Sequence, residues 1–122
     1  YDADLALALG SCDILCSTSE YEGFGLTLVE GMACGLPVVA RAVGGVTDIV
    51  DPAVTGFLGD TADALLAAVT YLASDAATRS RMGEAARARA VARYASSSVA
   101  QAFTDLYESI GSDHRHKRLR RG

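Results

Sequence analysis

The sequence predicts an α/β protein, the later part of a doubly wound parallel-sheet domain that ends in helices. Short apolar runs such as DILCS and PVVAR alternate with helix-patterned stretches up to residue 60, the rhythm of βα units. Glycine and proline punctuate the joints between them. Beyond Asp60 the pattern is helical only, so the sheet stops at three strands. Strands buried on both faces need partners on both edges, and three strands leave at least one edge open.

Taken in order, residues 3–11 (ADLALALGS) predict a short helix and residues 13–17 a buried strand, followed by the loop TSEYEGF. A helix is expected from Gly25 to Cys34, with Gly35 closing it and Pro37 blocking its continuation. PVVAR (37–41) reads as the second strand with AVGG as its exit loop, and TGFLG (55–59) as a third, weaker strand. Thr61 can cap a helix whose Leu65, Val69 and Leu72 fall on one face. An Ala- and Arg-rich helix should cover about residues 76–92. A last helix begins near residues 96–98, where Val99, Phe103, Leu106, Tyr107 and Ile110 follow the spacing of a buried stripe.

Composition excludes several classes. A chain of 122 residues makes at most one domain, and 50% hydrophobic residues exclude a wholly disordered one. Runs such as LALAL and PVVA fall far short of the roughly 18 residues that cross a bilayer. The chain opens at Tyr1 without a basic-then-apolar leader and reads as a piece of a longer cytoplasmic protein. Cys12, Cys16 and Cys34 are read as buried small hydrophobes in a reducing compartment. Both histidines, His114 and His116, lie far along the chain from these cysteines, so no metal site is expected.

Charge divides the chain. Residues 1–112 carry 14 acidic and 6 basic side chains, a formal −8, and residues 113–122 carry 5 basic and 1 acidic, +4, which together give the −4 of the whole. The expected organisation is a folded segment, 1–112, and a basic, disordered tail, 113–122. Peripheral contact of that tail with an anionic membrane is the functional alternative. Nucleic acid is not an expected partner, because aromatic interleaving and a nucleic-acid motif are missing.

One stretch asks for chemistry: EYEGFGLTLVEGMACGLPVVA, residues 20–40. Glu22 and Glu30 bracket Gly23-Phe24-Gly25 and the start of a helix. In open α/β sheets ligands bind beyond the carboxyl ends of the strands, where this loop lies. Free N–H groups at a helix start favour an anion such as phosphate, and the glycines let backbone approach it closely. Glu30 lies about five residues into the helix, roughly 7–8 Å along its axis, an offset that suits a ribose attached to that phosphate. Two carboxylates beside an anion must face hydroxyl groups, and a nucleotide-diphosphate sugar offers sugars on both sides of its pyrophosphate. Isolated glutamates of this kind are otherwise ordinary solvated acids or caps.

STSEYEGFGLTLVEGMACGLPVVARAVGGVTDIV, continued by TGFL, resembles the E-x7-E region of family 4 retaining glycosyltransferases of the GT-B fold, and ARYASSSVAQAFTDLYESI resembles that family's closing helix. The resemblance implies that residues 1–112 are part of the C-terminal, Rossmann-like nucleotide-sugar-binding domain. It implies that Glu22 contacts and aligns the donor hexose as the catalytic residue, that Gly23, Phe24 and Gly25 bring amides near sugar and diphosphate, and that Leu26 and Thr27 present amides to the distal phosphate. Glu30 would hold the ribose hydroxyls. No cofactor or metal is implied, and the other partner is an N-terminal acceptor domain that this chain lacks. Thr18, Gly31 and Asp48 depart from the family's usual proline, alanine and glutamate. Arg41 is the only cation in the first 78 residues, although a diphosphate calls for positive charge nearby. Two alternatives stay open: a GT-B nucleotide-sugar epimerase, and a non-enzymatic remnant or interaction module of the same fold.

Overall fold

A computed structural model describes residues 3–104. The elements run α1 (Ala3–Gly10), β1 (Leu15–Ser17), α2 (Leu26–Ala33), β2 (Val38–Arg41), α3 (Val46–Ile49), β3 (Gly56–Gly59), α4 (Ala62–Ser74) and α5 (Ala76–Tyr94). Residues 96–104 are again helical. The three strands form one parallel sheet in the order β1-β2-β3, with Leu15 beside Val38 and Val38 beside Gly56. This is the expected α/β class with its alternation of strands and helices.

The central strand organises the core. Val38, Val39 and Ala40 are completely buried, and the pleat sends them to opposite faces. Val38 and Ala40 join Leu28, Val29 and Met32 of α2, Val46 and Ile49 of α3, and Ala86 and Ala90 of α5. Val39 packs on the other face with Leu65 and Leu72 of α4 and Met82 of α5. The spacing read from the sequence for α4 therefore marks its buried side, with Val69 half-covered at the margin. No helix among the described residues is long and apolar enough to cross a membrane.

Helix ends follow local chemistry. The α2 C-terminus closes as expected: Gly35 has φ +84°, its amide donates to the Met32 carbonyl (2.9 Å), and the Leu36 amide donates to Gly31 (3.0 Å). Both bonds together make a Schellman closure, and only glycine adopts that backbone cheaply. Thr61 Oγ1 accepts from the Ala64 amide (3.2 Å) at the start of α4. Asp75 Oδ1 accepts from the Thr78 amide (2.9 Å) and Oδ2 from the Thr78 hydroxyl (2.9 Å) at the start of α5.

Three expectations change. The one-turn helix α3 stands just after the AVGG exit loop, where the sequence reading assigns no element, because four residues are too few to show a period. Cys12 and Cys16 are exposed and Cys34 half-buried, all as free thiols, rather than buried together. Cys16 lies beside Val39 in the ladder, but it is on an edge strand and α4 packs on β2 and β3. Cys12 follows α1 and donates its thiol to the Ala8 carbonyl (3.3 Å). Val99 and Phe103 are 40% and 57% exposed, so the first half of the expected stripe is not core. The backbone turns extended at Ala95 (ψ 143°), and neither residue belongs to a core cluster. Leu106, Tyr107, Ile110 and the basic tail lie outside the described residues.

Candidate functional site

The loop between β1 and α2 leaves the carboxyl end of the sheet beside the loop that follows β2. Their glycines set how closely the two can pack. A Cβ at Gly44 would fall on the Glu22 carbonyl oxygen, and one at Gly45 would lie 2.5 Å from the Gly23 carbonyl oxygen. The Gly45 amide donates to the Glu22 carbonyl (3.3 Å), tying the loops together. This close approach explains the Gly-Gly pair at 44–45.

Glu22 is half-buried, and its Oε1 accepts from the Gly25 amide at 3.1 Å. Gly25 has φ +79°, and a Cβ there would stand 2.9 Å from Ile49 Cδ1. The left-handed backbone favours glycine at this position, and buried Ile49 would have to yield to any side chain there. The α2 helix then begins with the Leu28 and Val29 amides donating to the Gly25 carbonyl (3.0 and 3.2 Å). The amides of Leu26 and Thr27 have no acceptor among the described residues. These are the first-turn donors that a helix leaves unpaired, and the N-cap position supplies no side-chain cap.

Glu30 lies one turn beyond Thr27, half-buried, and its carboxylate has no hydrogen-bond or ion-pair partner among the described residues. Gly23 is exposed, and Phe24 and Leu26 are more than half exposed, forming an apolar rim. All seven residues singled out in the sequence thus fall on one loop and the first two turns of one helix. Their chemistry is consistent: two open N–H donors lie between two carboxylates, with apolar surface alongside.

The cation noted in the sequence belongs to the same end of the sheet. Arg41 closes β2, and its guanidinium donates to Glu20 Oε1 (3.2 Å) and to the Asp60 carbonyl (3.2 Å). Its Nε is buried without a partner among the described residues. It borders a cavity of about 300 Å³ lined also by Cys16, Thr18 and the Ala62, Leu65, Leu66 and Val69 side of α4. The lining is mainly apolar, and the cavity lies on the α4 face of the sheet.

Two residues escaped the sequence reading. Arg89 of α5 donates from Nε to the Ile49 carbonyl (2.8 Å) and from Nη2 to the Asp48 carbonyl (3.0 Å). Tyr94 donates its hydroxyl to the Asp48 carbonyl (3.4 Å) and meets Phe24 edge-on, with ring centroids 5.9 Å apart. The local signal was slight: an arginine and an aromatic among alanines near the end of a helix. Their partners lie 40 or more positions earlier in the chain.

An open parallel sheet with a glycine loop and an unsatisfied helix start at its strand carboxyl ends has the layout in which α/β proteins bind ligands. The chain belongs to the group 1 glycosyl transferases, whose family model matches residues 1–89. It is 30% identical over 119 residues to N-acetyl-alpha-D-glucosaminyl L-malate synthase of Bacillus anthracis, covering 95% of this chain and 31% of that protein. It is 45% identical over 78 residues to D-inositol 3-phosphate glycosyltransferase of Kribbella flavida, covering 62% of this chain and 18% of that protein. Among solved structures, Anabaena HepE in complex with UDP superposes with a TM-score of 0.80 at 30% identity, over 88% of this chain and 30% of that one. The expected GT-B class of α/β fold is thereby supported. The chain spans less than a third of the HepE chain and of the Bacillus relative.

Proposed function

We propose that this chain is the donor-binding part of a family 4 retaining glycosyltransferase, taken from its C-terminal domain. The enzyme transfers a hexose from a nucleotide-diphosphate sugar to an acceptor. The observation that carries this reading is the pair of open amides at Leu26 and Thr27, flanked by Glu22 and Glu30. A helix start readily takes an anion such as phosphate, and a carboxylate on either side calls for hydroxyl groups rather than a second anion. A nucleoside diphosphate carrying a sugar supplies both. The UDP-glucose in a HepE complex is a ligand of that class.

In this reading the amides of Leu26 and Thr27 receive the distal phosphate, with Gly23, Phe24 and Gly25 approaching the sugar and diphosphate. Glu30 accepts hydrogen bonds from the ribose. Glu22 accepts them from the hexose and aligns its anomeric carbon. As the glycosidic bond to phosphate breaks, negative charge grows on the departing diphosphate. Each fixed donor at that position can lower the barrier by about 3 kcal/mol. The acceptor is bound by parts of the enzyme outside this chain, so transfer is a property of the longer enzyme.

A thermal melt of the chain with UDP, GDP and ADP and their sugar conjugates tests the reading. Ligand at 100 times its dissociation constant stabilises the folded chain by about 2.7 kcal/mol, which raises the midpoint by roughly 10 °C for a domain of this size. The expected result is such a rise for one base and not the others. A midpoint that none of the six compounds moves overturns the assignment of the donor site to this segment.

A further inference from the structure

The loop that carries Glu22 is held from a distance. Arg89 caps the end of α3 by donating to the Asp48 and Ile49 carbonyls (3.0 and 2.8 Å), with its Nη1 3.9 Å from Asp51 Oδ2. Two contacts lead from α3 to the candidate site. Its last residue, Ile49, packs beneath Gly25, with Cδ1 2.9 Å from where a Cβ would stand. Gly45, at its start, donates to the Glu22 carbonyl (3.3 Å). The Gly25 amide in turn holds Glu22 Oε1 at 3.1 Å. Shifting α3 therefore moves both ends of the glutamate turn together, its main chain through Gly45 and its carboxylate through Gly25.

We infer that Arg89 is a positioning residue: through α3 it sets the Gly25 amide and the Glu22 carboxylate that faces the donor hexose, an inference that rests on the proposed donor site. Arg89 touches neither glutamate, so its effect is wholly indirect. The same helix holds a matched counterpart at the other end of the sheet. Arg79 donates to the Leu72 and Ala73 carbonyls that end α4 (2.7 and 3.2 Å), and its Nε is 3.8 Å from Asp13 Oδ1. Both arginine side chains are 24% exposed. They make the same kind of bonds, but only Arg89 is connected to the glutamate turn.

The test compares Arg89→Ala, Arg89→Lys and Arg79→Ala in the 122-residue chain. Amide hydrogen exchange is read at Gly25 and Gly45, with Ala64 and Thr78, which start α4 and α5, as references. Affinity is read for whichever of UDP, GDP and ADP binds. Arg89→Ala is expected to speed exchange at Gly25 and Gly45 about tenfold relative to the references, the size of a lost charged hydrogen bond. It should also weaken nucleotide binding about fivefold, with Arg79→Ala changing neither ratio beyond about twofold. Arg89→Lys keeps the charge but not the two-pronged donor, and should show the same pattern at reduced size. That variant decides the matter if Arg89→Ala fails to fold. Uniform acceleration at all four amides in both arginine variants would make Arg89 an ordinary stabilising residue and overturn the inference. Selective acceleration at Gly25 and Gly45 in a chain that binds no nucleotide would uphold the mechanical link while overturning the donor reading.

Discussion

Three longer helices of this molecule begin in two different ways. Helices α4 and α5 start under side-chain caps, Thr61 and Asp75, which take up first-turn amides. Helix α2 starts after a glycine in the left-handed region, with no side-chain cap from that glycine, and leaves Leu26 and Thr27 unpaired. Its far end is closed by Gly35 and Leu36, which donate to the Met32 and Gly31 carbonyls. Capping an exposed helix start with Ser, Thr or Asp is worth about 1 kcal/mol, and such residues are common in this chain. The uncapped start of α2, beside two half-buried carboxylates, fits the proposed donor site, in which open amides would serve binding rather than stability.

The largest expected effect comes from placing the same clash in each region. Gly44→Ala drives a Cβ onto the Glu22 carbonyl oxygen, and Gly83→Ala drives one onto the Gly35 carbonyl oxygen behind the closed end of α2. Each should cost about 2–3 kcal/mol in urea unfolding, with Gly44→Ala the worse because φ is +48° there. The folded fraction of Gly83→Ala should keep its nucleotide response and that of Gly44→Ala should lose it. Equal responses would erase the functional distinction between the two regions.

Next come the carboxylates. Glu30 has no partner among the described residues, so Glu30→Ala should weaken nucleotide binding about tenfold while shifting stability by less than about 0.5 kcal/mol. Glu22→Ala removes the acceptor for Gly25 and should cost about 1 kcal/mol. In the longer enzyme it should slow transfer more than it changes nucleotide affinity. Kinetics unchanged in both variants would remove the proposed roles.

The capped helices should behave in the opposite sense. Thr61→Ala should lose about 1 kcal/mol of stability and leave nucleotide affinity alone. Asp75 adds a pH signature, since the Thr78 amide and then the Thr78 hydroxyl hold its carboxyl below the ordinary value of 3.8. The unfolded chain binds this proton more readily, so the stabilisation is complete above the unfolded value. It fades as pH falls through the lower, folded value. The stability gap between the chain and Asp75→Ala should thus hold constant near neutral pH and narrow below pH 3.8. A gap that widens on acidification would contradict the capping geometry.

The smallest effect is expected at Gly31. A Cβ there would lie 2.5 Å from Leu15 Cδ2, the free end of a side chain on the edge strand. Replacing glycine gains roughly 0.5–1 kcal/mol of helix propensity, and turning Leu15 off its rotamer costs a similar amount. Gly31→Ala should therefore lie within about 1 kcal/mol of the chain in urea unfolding. A large loss would show that α2 and β1 are packed too tightly for Leu15 to yield.

The candidate site was legible because its parts are local. Glu22 through Glu30 span a loop and two turns, so glycine spacing and helix geometry suffice to place them together. Gly35 and Pro37 likewise announce the end of α2. Burial was less legible. Cys16 sits in an apolar run yet is exposed, because edge or centre is a property of the sheet and not of the strand. Val99 and Phe103 carry a helical stripe, but the stripe does not say whether a surface awaits it.

By itself the sequence determined the α/β class, the order of its strands and longer helices, and the cluster of glutamates, glycines and helix-start amides. These follow from periodicity, chain stiffness and backbone sterics acting over a few residues. Only the tertiary structure decided that Gly44 and Gly45 admit the neighbouring loop, that a one-turn helix supports Gly25, and that Arg89 holds that helix. Those contacts join segments some 20 to 40 residues apart, and they form only after the sheet has brought the segments together. No short-range pattern encodes such a meeting, because which side chains meet is set by packing of the whole.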